Sequence, residues 1–122
     1  MSRDPACSVT RIEKPWGYET HWAKTERYVG KVLHVEKGHA LSLQYHNLKD
    51  ETMHVFSGRV LFEFEDRGVL VGRELGPGDS VHVPPTLVHR ITALETSDVL
   101  EASTPELDDV VRIDDRYGRT TE

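Results

Sequence analysis

Glycine, proline and Asn/Asp clusters interrupt this chain every six to twelve residues, and that spacing constrains its fold more than any other feature. The runs between them, at 28–35, 40–46, 51–57, 60–65, 69–75, 80–83, 89–94 and 97–102, are β-branched or alternate polar with apolar residues. They are too short for stable helices and match the period of half-buried strands. Gly38, Gly58, Asp66-Arg67-Gly68, Gly76-Pro77-Gly78-Asp79 and Pro84-Pro85 supply the turns. Eight or so short strands joined in this way predict an all-β sandwich or closed barrel. The one helical signal is Ser103-Thr-Pro-Glu106, a capping-box spacing with proline in the first turn. It predicts a short C-terminal helical turn reaching about residue 111.

A length of 122 residues suits one domain, expected over 1–122 with an ordered core at about 11–119. The formal charge of −6 argues against bulk binding to nucleic acid or to an anionic membrane. That charge is concentrated: residues 101–122 carry seven acidic and three basic side chains. Cys7 is the only cysteine, so no intramolecular disulfide forms. The first residues carry no apolar signal-peptide core and no run is long enough to span a bilayer, so a cytoplasmic location is the expectation. Seven histidines are the compositional oddity.

Gln44 and His46 lie two apart in one predicted strand, so their side chains leave the same face. Glu51 opens the next strand after a four-residue gap, with Met53 and Val55 on its face. The Pro84-Pro85 corner delivers His89 at the start of another strand. An amide oxygen, two imidazoles and a carboxylate around one point form a mixed N/O set. Such a set suits a divalent first-row metal: Zn first, with Mn, Fe, Co or Ni as alternatives.

These positions also carry a resemblance. Gly38-x5-Gln44-x-His46-x4-Glu51-x6-Gly58 is similar to the first motif of the cupin superfamily, with glutamine in place of its first histidine. Gly78-x5-Pro84-x-Thr86-x2-His89-x3-Ala93 is similar to the second, with Thr86 at its late glycine and Ala93 at its asparagine. More narrowly, Ser42-Leu-Gln-Tyr-His46 with Glu51 resembles the type II mannose-6-phosphate isomerase cupin domain. Lys14-Pro-Trp-Gly-Tyr18 and the block from Asp108 to Arg119 resemble its opening and closing segments. The resemblance implies a single small cupin β-barrel, or jelly roll, with Gln44, His46, Glu51 and His89 as metal ligands. Asn47, Leu48, Lys49 and Met53 depart from the residues usual there, two histidines, an arginine and a tryptophan.

Around this set, Glu101 and Lys49 are the candidates for moving a proton, with a salt-bridge role competing for Glu101. Lys31, Arg112 and Arg119 are candidate grips for an anionic ligand, since guanidinium forks match phosphate and lysine supplies a point charge. For both arginines, pairing with neighbouring aspartates is the competing reading. His54 is expected on the opposite strand face, His82 near the pocket mouth or in solvent, and His34 and His39 in structural or solvated positions. His21 is expected to stack with Trp16, Tyr18 and Trp22 or to contact a second copy.

Three functions follow. The first is a sugar-phosphate isomerase-like metalloenzyme acting on a mannose-6-phosphate-type substrate by enediol proton transfer. The second is a cupin dioxygenase, against which Gln44 counts. The third is a non-catalytic metal- or saccharide-binding module. Cupins of this kind commonly pair, so a homodimer is expected, with residues 16–22 as a covering or exchanged strand.

Overall fold

The computed structural model describes residues 4–119. They form β1 (Thr10–Lys14), β2 (Gly17–Lys24), β3 (Val29–Val35), β4 (Leu43–Tyr45), β5 (Glu51–Ser57) and β6 (Val60–Asp66). There follow β7 (Val69–Leu75), β8 (Ser80–Val83), β9 (His89–Ala93), β10 (Ser97–Ser103) and β11 (Val111–Asp114). No helix occurs among the described residues, so the fold is all-β. Two antiparallel sheets face one another, ordered β1-β2-β3-β10-β5-β8 and β11-β4-β9-β6-β7.

Strand alternation decides which side chains lie between the sheets. In β3 those are Val29, Lys31, Leu33 and Val35, and in β10 they are Ser97, Val99, Glu101 and Ser103. One end of the interior is apolar: Leu33, Val35, Val55, Val60, Phe62, Ile91 and Val99 pack together with Trp16. Each such buried side chain contributes about 1.5–3 kcal/mol. At the other end the same alternation places Lys31, Glu51 and Glu101 inside the barrel, so the polar site extends the core pattern.

Within the chain, β2 pairs along β3 and β1 pairs along β2, so residues 17–22 are strand. The predicted run 40–46 is strand only at Leu43–Tyr45, with Ala40 bridged singly to Thr92. The predicted helical turn after Ser103 does not form. Asp50 N–H donates to Thr104 Oγ1 at 2.9 Å, and Thr104 N–H donates to Asp50 O at 3.0 Å. Thr104 is thereby tied to the segment before β5, the Ser103 hydroxyl donates to Thr104 O at 3.0 Å instead of capping a helix, and tight turns at Pro105–Leu107 and Asp108–Val110 lead into β11.

Thr86 occupies the turn where the second motif usually has glycine, and it takes φ +73°. That left-handed conformation is unfavourable for a β-branched residue. Thr86 N–H donates to His46 O at 2.6 Å, so the strained turn ties the β8–β9 corner to a candidate ligand.

Candidate metal centre

Gln44 on β4 sits directly opposite His89 on β9. His46 follows β4, and the loop returns the chain so that Glu51 opens β5. Asp109 holds that loop. Its carboxylate accepts from the backbone N–H groups of Asn47 (3.0 Å), Leu48 (2.6 Å) and Lys49 (2.9 Å). Those donors, Asn47 and Leu48 foremost, lower the Asp109 carboxyl to about 2.

His46, Glu51 and His89 are each no more than 3 % exposed. One ligand atom from each lies within 4.8 Å of the others. His46 Nδ1 donates to the Asp109 carbonyl at 2.5 Å, and His89 Nδ1 donates to the Leu87 carbonyl at 2.9 Å. Both Nε2 atoms lie close to Glu51 Oε1, at 3.1 and 3.3 Å, and with the Nδ1 protons assigned to carbonyls they are the ring nitrogens left to bind a metal. Three ligand atoms thus converge in a buried pocket, an arrangement that a divalent cation satisfies and that carbonyl-anchored imidazoles orient. Gln44 Oε1, the fourth candidate, accepts from Ser42 Oγ at 2.5 Å.

The second oxygen of Glu51 meets Lys49 Nζ at 3.2 Å, and Lys49 reaches Glu101 Oε2 at 3.0 Å. Lys31 lies 3.8 Å from that same Glu101 oxygen and 3.3 Å from Glu19 Oε1, which His21 Nε2 contacts at 2.7 Å. Burial alone would raise the Glu51 carboxyl, but the imidazoles of His46 and His89 and the Lys49 ammonium hold it well below the usual range. Glu101 is raised, by burial first and then by the Glu51 charge, against the pull of Lys49 and Lys31. Burial pulls Lys49 down, yet Glu101 and Glu51 leave it raised overall. Glu101 Oε2 is buried without an aligned hydrogen-bond donor, despite its ion pairs.

A cavity of about 540 Å³ opens beside this cluster, lined by Gln44, His46, Lys49, Glu101, Lys31, Arg112 and Arg119 among others. Every sequence-predicted site residue therefore reaches one region, with Glu51 and His89 beneath it. Arg119 lines the wall but is clamped to Asp115 by Nε (2.9 Å) and a second guanidinium nitrogen (3.0 Å). His82 lies outside this cavity, exposed and paired with Asp50 at 2.6 Å. His54 is on the outer strand face against Ser80 Oγ at 2.7 Å.

Two residues went unassigned in the sequence, Asp109 and Glu19, and His21, expected to stack with the aromatics around it, instead meets Glu19 Oε1 through Nε2 at 2.7 Å. Glu19-x-His21 repeats the two-residue spacing of Gln44-x-His46, which was the available signal that both side chains face inward. Asp109 had no local signal, because its role depends on a contact across sixty residues.

Two antiparallel sheets closed around a His–Glu–His cluster define the class: this is a cupin. A family model described as "Mannose-6-phosphate isomerase C-terminal" matches residues 2–115, and the chain belongs to that family. It is 32% identical over 113 residues to mannose-1-phosphate guanylyltransferase ManC of Salmonella typhimurium, covering 88% of this chain and 23% of that protein. The chain thus spans about a quarter of the length of the curated relatives it matches. Among solved structures, KdgF from Halomonas sp. superposes with a TM-score of 0.69 at 22% identity, over 84% of this chain and 91% of that one. Oxalate decarboxylase from Bacillus subtilis superposes with a TM-score of 0.72 at 19% identity, over 86% and 30%. At these identities the superpositions establish the fold. No helix of the described residues is long and apolar enough to cross a membrane.

Proposed function

We propose that the chain is a metal-dependent sugar-phosphate isomerase domain, with Gln44, His46, Glu51 and His89 as ligands. The observation that carries this reading is the position of Lys49, between the candidate ligand Glu51 and the buried Glu101. A divalent cation bound there supplies Lewis-acid polarisation of a carbonyl oxygen. Glu101, whose Oε2 lacks an aligned donor, takes the proton from C2 and returns it to C1, while the hydroxyl proton passes from O2 to O1 of the enediol. Lys49 stabilises the resulting charge arrangement and holds Glu101 in place. The family to which the chain belongs supports a phosphorylated sugar as the substrate class.

Incubating metal-loaded protein with mannose 6-phosphate and related aldose phosphates in deuterated water tests the reading. Deuterium should enter at C2, and none across the panel would overturn it.

A non-catalytic sugar-phosphate-binding module is the second reading. It is favoured by the ion pairing of Glu101 with two lysines, which opposes its use as a base. Saturable binding without deuterium exchange would select it. The reading also includes a homodimer, supported by the exposed Trp22 and Phe56 on the strands of the larger sheet. Light scattering at micromolar concentration showing only a monomer would remove the dimer.

A further inference from the structure

The cations around the central cavity fall into two groups. Lys31 is held between Glu19 and Glu101, Lys49 between Glu51 and Glu101, Lys14 by Glu19 and Arg119 by Asp115. Their charges are matched within the protein. Lys24 and Arg112 line the same cavity and, among the described residues, have no carboxylate within ion-pair distance. Lys24 and Arg112 are therefore the cavity cations that a bound anion can meet without displacing an internal ion pair.

Strand register places both groups relative to the metal centre. Arg112 on β11 is opposite Gln44 on β4, which is opposite His89 on β9. Lys24 on β2 is opposite Val29, which is opposite Ser103, which is opposite Glu51. At about 4.8 Å per strand, Arg112 stands about 10 Å from His89 along the smaller sheet, and Lys24 about 14 Å from Glu51 along the larger. Both residues line the cavity yet stand strands away from the metal centre, as suits a ligand whose reacting carbons sit at that centre and whose charged end sits several bonds away.

We infer that Lys24 and Arg112 form the seat for the phosphate of the ligand, opposite the metal centre across the cavity. A dianionic phosphate matches two cations of this kind, one a two-pronged guanidinium and the other a mobile point charge. A carboxylate carries too little charge to neutralise both. The inference rests on the reading of the cavity as a sugar-phosphate site and names the residues that select the phosphate. It excludes Lys31 and Arg119 from that role, because their partners already hold them. The phosphate is either the monoester of a sugar phosphate or the diphosphate of a nucleotide sugar, and the two share this chemistry.

Calorimetry on the full chain tests it, with mannose, mannose 6-phosphate, GDP-mannose and inorganic phosphate as probes, each with and without added zinc. Mannose 6-phosphate or GDP-mannose should bind about tenfold or more tightly than mannose, and the tighter of the two identifies the phosphate source. Lys24→Gln and Arg112→Gln should each remove most of that preference and leave mannose affinity within about twofold, while Arg112→Lys should retain part of it. Unchanged melting temperatures for these variants would separate loss of binding from loss of folding. The inference is overturned if none of the phosphorylated probes outbinds mannose. It is also overturned if both glutamine variants keep the preference, or if only Lys31→Gln or Arg119→Gln removes it. A phosphate preference that persists without zinc, with no deuterium exchange, would remove the isomerase reading and leave the phosphate seat standing.

Discussion

Lys49 Nζ lies 3.0 Å from Glu101 Oε2, and both side chains are buried, at 4 % and 6 % exposure. Removing one member of such a pair strands the other charge in the interior, which costs about 3–5 kcal/mol. Lys49→Met should therefore lose about that much stability in urea titrations, and should reduce any isomerase activity by about 10²-fold or more. Lys49→Met with Glu101→Leu should recover much of the stability and none of the activity. Full activity in the single variant would remove Lys49 from the proposed chemistry.

Thr86 at φ +73° stores backbone strain that glycine would not. Thr86→Gly should stabilise the protein by about 1 kcal/mol, the difference between relief of the left-handed strain and the entropy cost of glycine. Thermal unfolding should show a rise of a few degrees. A lower melting temperature would mean that the threonine side chain stabilises the corner by contacts that outweigh its conformation.

Asp109 links acid stability to the site. Its carboxyl is lowered in the folded chain to about 2 from an ordinary 3.8, so the unfolded chain takes up its proton first as pH falls. The stabilisation from this group is complete above about pH 4 and is lost as pH falls through about 2. Asp109→Asn should flatten the acid limb of the stability curve in that interval. It should also weaken zinc affinity about tenfold, because the loop carrying His46 loses its charged anchor. An unchanged acid limb would show that Asp109 does not govern this interval.

Gly58 turns the chain from β5 into β6 at φ +88°, and a Cβ there would lie 2.2 Å from Ser97 Oγ and 2.5 Å from Thr96 O. Gly58→Ala should destabilise the fold by more than about 2 kcal/mol, since backbone strain and overlap act together. Near-native stability in a denaturant titration would contradict the close approach of these two turns.

The strands from Val29 onward were legible because Gly, Pro and Asp sit wherever the chain reverses, and because β-branched residues fill the intervals. Gln44, His46, Glu51 and His89 were legible as a set because their spacing follows strand period and turn length. Ser103-Thr-Pro-Glu106 misled because the Ser103 hydroxyl donates to Thr104 O while Thr104 pairs with Asp50 on the neighbouring segment, so a tertiary contact takes the place of the helical turn. β11 was hidden for a related reason: Val111–Asp114 is short, and its strand character depends on pairing with β4. The inward Glu19 and His21 were overshadowed by the aromatics around them, whose bulk suggested core stacking. Trp16 is indeed buried, whereas Trp22 faces outward with its indole against Gly30.

The central claim is that His46, Glu51 and His89, with Gln44, hold a divalent metal. Elemental analysis of the purified chain after equilibration with zinc and removal of free ion tests it most directly, with His46→Ala as the comparison. The account predicts about one zinc per chain for the native sequence and little or none for the variant. Equal metal content in the two proteins, or no retained metal in the native one, would contradict it.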